Sequence, residues 1–137
     1  PLKSKLYNDE NSRTMYVKSF RDLEVYKLAR EVAKEIYLCT KEFPVSEKYS
    51  LTDQIRRSSR SVGAQIAEAW AKRRYEMHFI SKLTDADAEQ LETQHWIEVS
   101  LECQYLDSVK SDELIKKCES IGKMIYKMIE KSSTFCK

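Results

Sequence analysis

Two glycines and two prolines in a chain of 137 residues leave almost nothing from which to build turns. A β-sandwich or barrel reverses direction about every ten residues and needs turn-formers at each reversal. An all-β fold is therefore excluded. Charged residues (34%) interleave with hydrophobic ones (42%), as suits amphipathic helices with solvated outer faces. The length favours one domain, and a net charge of only +2 argues against disorder throughout. No apolar run approaches the roughly 18 residues that a membrane span needs. The polar first 16 residues lack the apolar core of a secretory signal. Cys39, Cys103, Cys118 and Cys136 include no C-x-x-C pair. They are expected to be reduced thiols in a soluble, cytoplasmic protein.

The hydrophobic periodicity predicts an all-α, antiparallel up-down-up-down four-helix bundle over residues 19–131. Residues 1–18 show neither helical nor strand periodicity and are expected to be a flexible tail, as are residues 132–137. Helix one runs from Phe20 to Phe43 with Leu23, Tyr26, Ala29, Val32 and Ile36 inward, capped by Ser19 with Asp22. Pro44 ends it. Helix two is capped by Ser50 and carries Leu51, Ile55, Val62 and Ile66 on a face crowded with small residues. Helix three spans Met77 to Tyr105, and helix four opens at Ser111. Both carry apolar stripes beyond what a four-helix core requires. Leu91, Trp96, Val99, Ile115 and Ile129 are thus candidates for a homo-oligomer interface.

Charge is distributed unevenly. Residues 48–74 hold seven basic side chains against two acidic ones, and residues 75–109 hold eight acidic against one basic. One reading has neighbouring helices neutralise each other, with Arg57, Glu68 and Glu92 as structural ion-pair residues. The other is a basic surface that collects phosphates, for which Arg56, Arg57, Arg60, Lys72, Arg73 and Arg74 are the candidates. The Glu92-x-x-His95 spacing matches half of a di-iron motif, but such a site needs the motif on two helices. Both histidines, His78 and His95, lie on helix three. No Gly-rich phosphate loop or nucleophile elbow occurs. No catalytic residue, metal or cofactor is expected.

The ordered series Phe20 to Tyr26, Ile36-Tyr37, Phe43-Pro44, Glu47 to Leu51, Gln54 to Arg57, Ser61-Val62 and Ile66 to Glu68, with Glu92-Thr93-Gln94 and Leu106, resembles the 23S rRNA intervening-sequence protein family over about residues 19–107. The chain departs from that pattern at Gln65 and Ala69, where Asn and Gly are frequent, and at Ala86-Asp87, where Gly-Ser is usual. The resemblance implies a bacterial antiparallel four-helix bundle, commonly a homopentamer. A related branch, the accessory variability proteins of diversity-generating retroelements, binds a reverse transcriptase together with RNA through basic surface. What the resemblance implies here is binding of rRNA or other structured RNA through the six basic residues. The alternative is a protein-interaction scaffold in which the basic helix serves assembly.

Overall fold

The computed structural model describes residues 4–8 and 13–136. Four long helices dominate: α1 (Glu24–Thr40), α2 (Leu51–Ala71), α3 (Glu76–Glu102) and α4 (Ser108–Glu130). Each packs on its sequence neighbours, and α1 closes the square against α4. Paired side chains fix the directions. Between α2 and α3, Ser58 meets Thr93 while Glu68 meets Lys82 ten residues on. Between α1 and α4, Glu31 meets Lys117 while Glu35 also reaches back to Lys110. In both pairs one sequence number rises as the other falls, so the neighbours are antiparallel. Ile36, Ile55, Ile66, Phe79, Leu83, Ile97, Leu114 and Ile121 fill the centre and are almost wholly buried.

The helix ends show where local chemistry competes. Ser19 and Asp22 form the expected capping box, but on a single 3-10 turn, Phe20–Asp22, ahead of α1. Ser50 does not cap α2. Its hydroxyl donates to Glu47 Oε1 at 2.6 Å, and that same oxygen accepts the Leu51 N–H at 3.4 Å. Helix three stops at Glu102, short of Tyr105, because Gln104 adopts the left-handed conformation (φ 63°). The Gln104 and Tyr105 N–H groups then bond back to the Leu101 and Ser100 carbonyls, closing a Schellman motif without glycine. Helix four begins three residues before Ser111, with Asp107 accepting the Lys110 N–H at 2.7 Å.

Both presumed tails need correction. Strands β1 (Ser4–Asn8) and β2 (Arg13–Val17) pair antiparallel, with Ser4 opposite Val17 and Asn8 opposite Arg13. The remainder of the 1–12 segment lies outside the described residues. A lone two-stranded hairpin is marginal in water, and here β1 lies beside a short C-terminal helix, α5 (Ser132–Phe135). Phe135 is buried and stacks on Phe79 with centroids 5.9 Å apart. The Ser132 hydroxyl bonds Glu76 at the start of α3. The C-terminal segment therefore plugs one end of the bundle; Lys137 lies outside the described residues.

The second stripe of α4 has a use within the protomer. Ile115 and Ile129 are half-buried against the core, as are Trp96 and Val99 of α3. Gly122 lies so close to α3 that a Cβ there would meet Gln90 Nε2 at 2.9 Å. Between α1 and α4, Glu35 takes Lys110 at 3.0 Å and Lys117 at 2.6 Å. Burial pushes the Glu35 carboxyl up. The hydrogen bonds and charges of Lys117 and Lys110 outweigh that and hold it below the usual carboxylate range.

Two stability predictions follow from these contacts. Phe135→Ala removes a buried ring from the core and is expected to lower the unfolding free energy in urea by about 3 kcal/mol, a loss that a free tail residue would not cause. Glu35→Gln is expected to cost about 1–2 kcal/mol at pH 7. A carboxylate whose pKa folding depresses stabilises only above its unfolded-chain value, and its contribution disappears as pH falls through the folded one. The gap between Glu35→Gln and the natural chain, measured by urea midpoint, should therefore close below about pH 4.

Candidate nucleic-acid interface

α1 and α2 pack through short side chains, and the trough between them stays open. Ala33 of α1 with Gly63, Ala64 and Ala67 of α2 form the floor of a groove of about 820 Å³. The Tyr26 ring lies over Gly63, where an added Cβ would stand 3.5 Å from Tyr26 Cε1. The walls carry Lys27, Arg30 and Lys34 from α1 and Arg60 from α2, with Phe20, Tyr26 and Tyr37 between them. A second hollow of about 480 Å³ continues past Arg60, lined by Lys48, Tyr49, Asp53, Arg56 and Arg57. Arg60 belongs to both.

Aromatic rings and cations alternate along this face. The guanidinium carbons of Arg56 and Arg60 lie 4.9 and 5.6 Å from the Tyr37 ring centre, and Lys41 Nζ lies 5.1 Å from it. Arg56 Nε also donates to Thr40 Oγ1 at 2.7 Å, which holds the start of α2 to the end of α1. Arg30 donates to the Tyr26 hydroxyl at 2.8 Å. Arg21 covers Phe20 at 4.5 Å, and Lys48 approaches Tyr49 at 5.4 Å. Each such contact contributes about 0.5–1 kcal/mol at an exposed site, enough to order the cations without taking them out of water.

Seven cationic side chains thus line the two hollows against two carboxylates, Glu31 and Asp53. Both carboxylates are engaged, Glu31 with Lys117 at 2.8 Å and Asp53 with Arg57 at 3.2 Å. The face is therefore strongly positive, although the whole chain is nearly neutral.

The six basic residues singled out in the sequence do not form one site. Arg56, Arg57 and Arg60 come together here. Lys72, Arg73 and Arg74 sit at the other end of α2, about 24 Å from Arg56 along the helix axis. Arg73 has a local role: its guanidinium lies 3.6 Å from the Trp70 ring centre and its Nε donates to the Trp70 carbonyl at 2.8 Å. Burial lowers its pKa from the usual arginine value. Lys72 is the C-cap of α2, where a cation also complements the helix dipole. Both Lys72 and Arg74 are exposed.

The proposed ion pairing among Arg57, Glu68 and Glu92 is corrected. Arg57 pairs one turn back with Asp53, since a partner at i−4 on the same face is nearer than any on α3. Glu68 instead takes Lys82 of α3 at 3.1 Å, and Glu92 accepts from Trp96 Nε1 at 3.0 Å. Of the five interface candidates, Leu91 is exposed, whereas Trp96, Val99, Ile115 and Ile129 are partly covered by their own protomer. The sequence reading missed Lys27, Arg30, Lys34, Tyr26 and Tyr37. The signal was present in their spacing, which sets three cations and two aromatics along neighbouring strips of α1.

Among the described residues no three His, Cys, Asp or Glu side chains converge as metal ligands. The four cysteines are free thiols. Burial pushes Cys118 up to about 12 and raises Cys39 and Cys136, which disfavours the reactive thiolate. No helix among the described residues is long and apolar enough to cross a membrane.

A family model described as 23S rRNA-intervening sequence protein matches residues 21–127. Among solved structures, a protein of unknown function from the S23 ribosomal protein family of Bacteroides thetaiotaomicron VPI-5482 is similar, with a TM-score of 0.69 and 27% identity. The similarity covers 77% of this chain and 98% of that one. No curated protein matches the chain. With one match running from the turn before α1 to the last turn of α4, and a solved relative sharing the bundle, the chain belongs to the 23S rRNA-intervening sequence protein family.

Proposed function

We propose that this protein is a non-enzymatic, cytoplasmic, homo-oligomeric bundle that binds RNA through the basic face shared by α1 and α2. The observation that carries the reading is the charge of that face: seven cations line it against two carboxylates, Glu31 taken by Lys117 of α4 and Asp53 by Arg57, which leaves the face positive. Lysine and arginine heads held at the rim of an open groove contact phosphates and release counterions, so binding should weaken steeply with salt and discriminate little between sequences. A different surface serves assembly: Leu91 stands 55% exposed on the acidic α3, and a homopentamer, or an accessory role beside a protein such as a reverse transcriptase, would cover it.

Replacing Arg30, Lys34 and Arg60 together by Gln is expected to weaken binding of a 23S rRNA fragment at least about tenfold at moderate salt and to lower the log–log salt slope by about 2. Lys72→Gln with Arg74→Gln, at the far end of α2, should leave the slope close to that of the natural protein. Fluorescence anisotropy across a salt series measures both, and the opposite pattern would move the interface to the end of α2. Light scattering should give a mass near five protomers for the natural chain and for both variants, whereas a monomer would refute the assembly.

A further inference from the structure

The α1/α2 groove is a narrow trough with rings in its walls, and both properties bear on the form of nucleic acid it can hold. Packed helices lie with their axes about 8–10 Å apart, and the trough between this pair is lined by the small residues Ala33, Gly63, Ala64 and Ala67. A trough bounded by two adjacent helices admits one strand. A duplex is wider than the trough, and its phosphates would touch only the rim.

The rings add a second discrimination. Bases inside a duplex are stacked on one another and offer no free face, while the bases of a single strand can be splayed onto aromatic rings and guanidinium planes. Tyr37 is 37% exposed, with Arg56 and Arg60 beside its ring. Tyr26 lies eleven residues earlier on the same helix, about 16 Å away, which is about five nucleotides at the 3.4 Å spacing of a stacked strand. Lys27, Arg30 and Lys34 fill the interval between the two rings. Rings at both ends with cations between them form the arrangement of a single-strand groove, in which phosphates follow the cations and bases stack on the rings.

We infer that the α1/α2 groove is a site for single-stranded RNA, with Tyr37 as the stacking platform and Arg30, Lys34 and Arg60 on the phosphates. This rests on the RNA-binding reading above and narrows it from structured RNA in general to unpaired segments such as loops and ends. On binding, the exposed guanidinium of Arg60 turns from the Tyr37 ring toward phosphate, and a base takes the ring face it leaves, while Arg56 stays held by Thr40. The present contact of Arg60 with the ring is on the exposed side and contributes about 0.5–1 kcal/mol, so the exchange costs little.

The test compares an unstructured RNA oligomer of about 12 nucleotides, a length within the range of known single-strand sites, with its own blunt duplex. Both are titrated by fluorescence anisotropy against the full chain at low and moderate salt. The single strand is expected to bind at least about tenfold more tightly. Tyr37→Ala should weaken single-strand binding about tenfold, and Tyr37→Phe, which keeps the ring, should restore it. Ala64→Gln, which fills the groove floor and leaves every cation and ring in place, should weaken it too. Tyr75→Ala, outside the groove, should not. Thermal melting confirms that each variant is folded. Duplex binding equal to or tighter than single-strand binding, with Tyr37→Ala silent, would overturn this inference and leave the RNA-binding reading standing. No binding of either form would overturn both.

Discussion

The close approach of α2 to both of its neighbours sets the geometry on which the rest of the chain depends. Toward α3, Ser58 and Ala69 are buried, and the Ser58 hydroxyl hydrogen-bonds to Thr93 at 2.9 Å. Toward α1, Gly63, Ala64 and Ala67 lie beside Ala33 and under Tyr26. Short side chains let the helix backbones come near enough for dispersion contacts along their length. They also leave nothing tall enough to fill the outer trough between two such helices. The packing that holds α1 and α2 together is therefore what leaves a groove on their outer side, and larger residues on the floor would replace that groove with a filled surface.

Electrostatics then decides the sign of that groove. Of the α1 carboxylates, Glu31 and Glu35 reach Lys117 and Lys110 of α4, and Glu24 pairs with Lys27 on its own helix. The acidic side chains of α2 are taken up as well, Glu68 across the seam by Lys82 of α3 and Asp53 within its own helix by Arg57. With these carboxylates paired, Arg30 and Lys34 on one wall and Arg56 and Arg60 on the other remain to define the field. A nearly neutral chain thus acquires one strongly positive face, because helix packing sorts charges by the side of the helix they occupy.

The four helices were legible in the sequence because burial in a bundle demands apolar residues every three or four positions, and the chain meets that demand from Leu23 to Met128. Their ends were legible only in part. Capping is a contest among nearby polar groups, so Ser50 lost its cap to Glu47, and Gln104 supplied a left-handed stop where no glycine announced one. The hairpin at Ser4–Val17 and the burial of Phe135 were missed for a related reason. Both depend on groups distant in sequence: β1 lies beside α5, and Phe135 rests on Phe79. Short segments of that kind carry too little periodicity of their own to be recognised.

Half of the basic site was visible in the same way. Arg56, Arg57 and Arg60 stood out as a cluster within one helix, while their partners on α1 looked like the ordinary solvated face of an amphipathic helix. Helical class, the division of the chain into four segments and the charge contrast between α2 and α3 were determined by the sequence alone, because each follows from patterns within a few turns of one helix. The tertiary structure alone decided which cations share a groove, that Lys72 to Arg74 are not among them, and which carboxylates pair across helices. Those outcomes depend on which faces of two antiparallel helices meet, and no pattern within either helix specifies that.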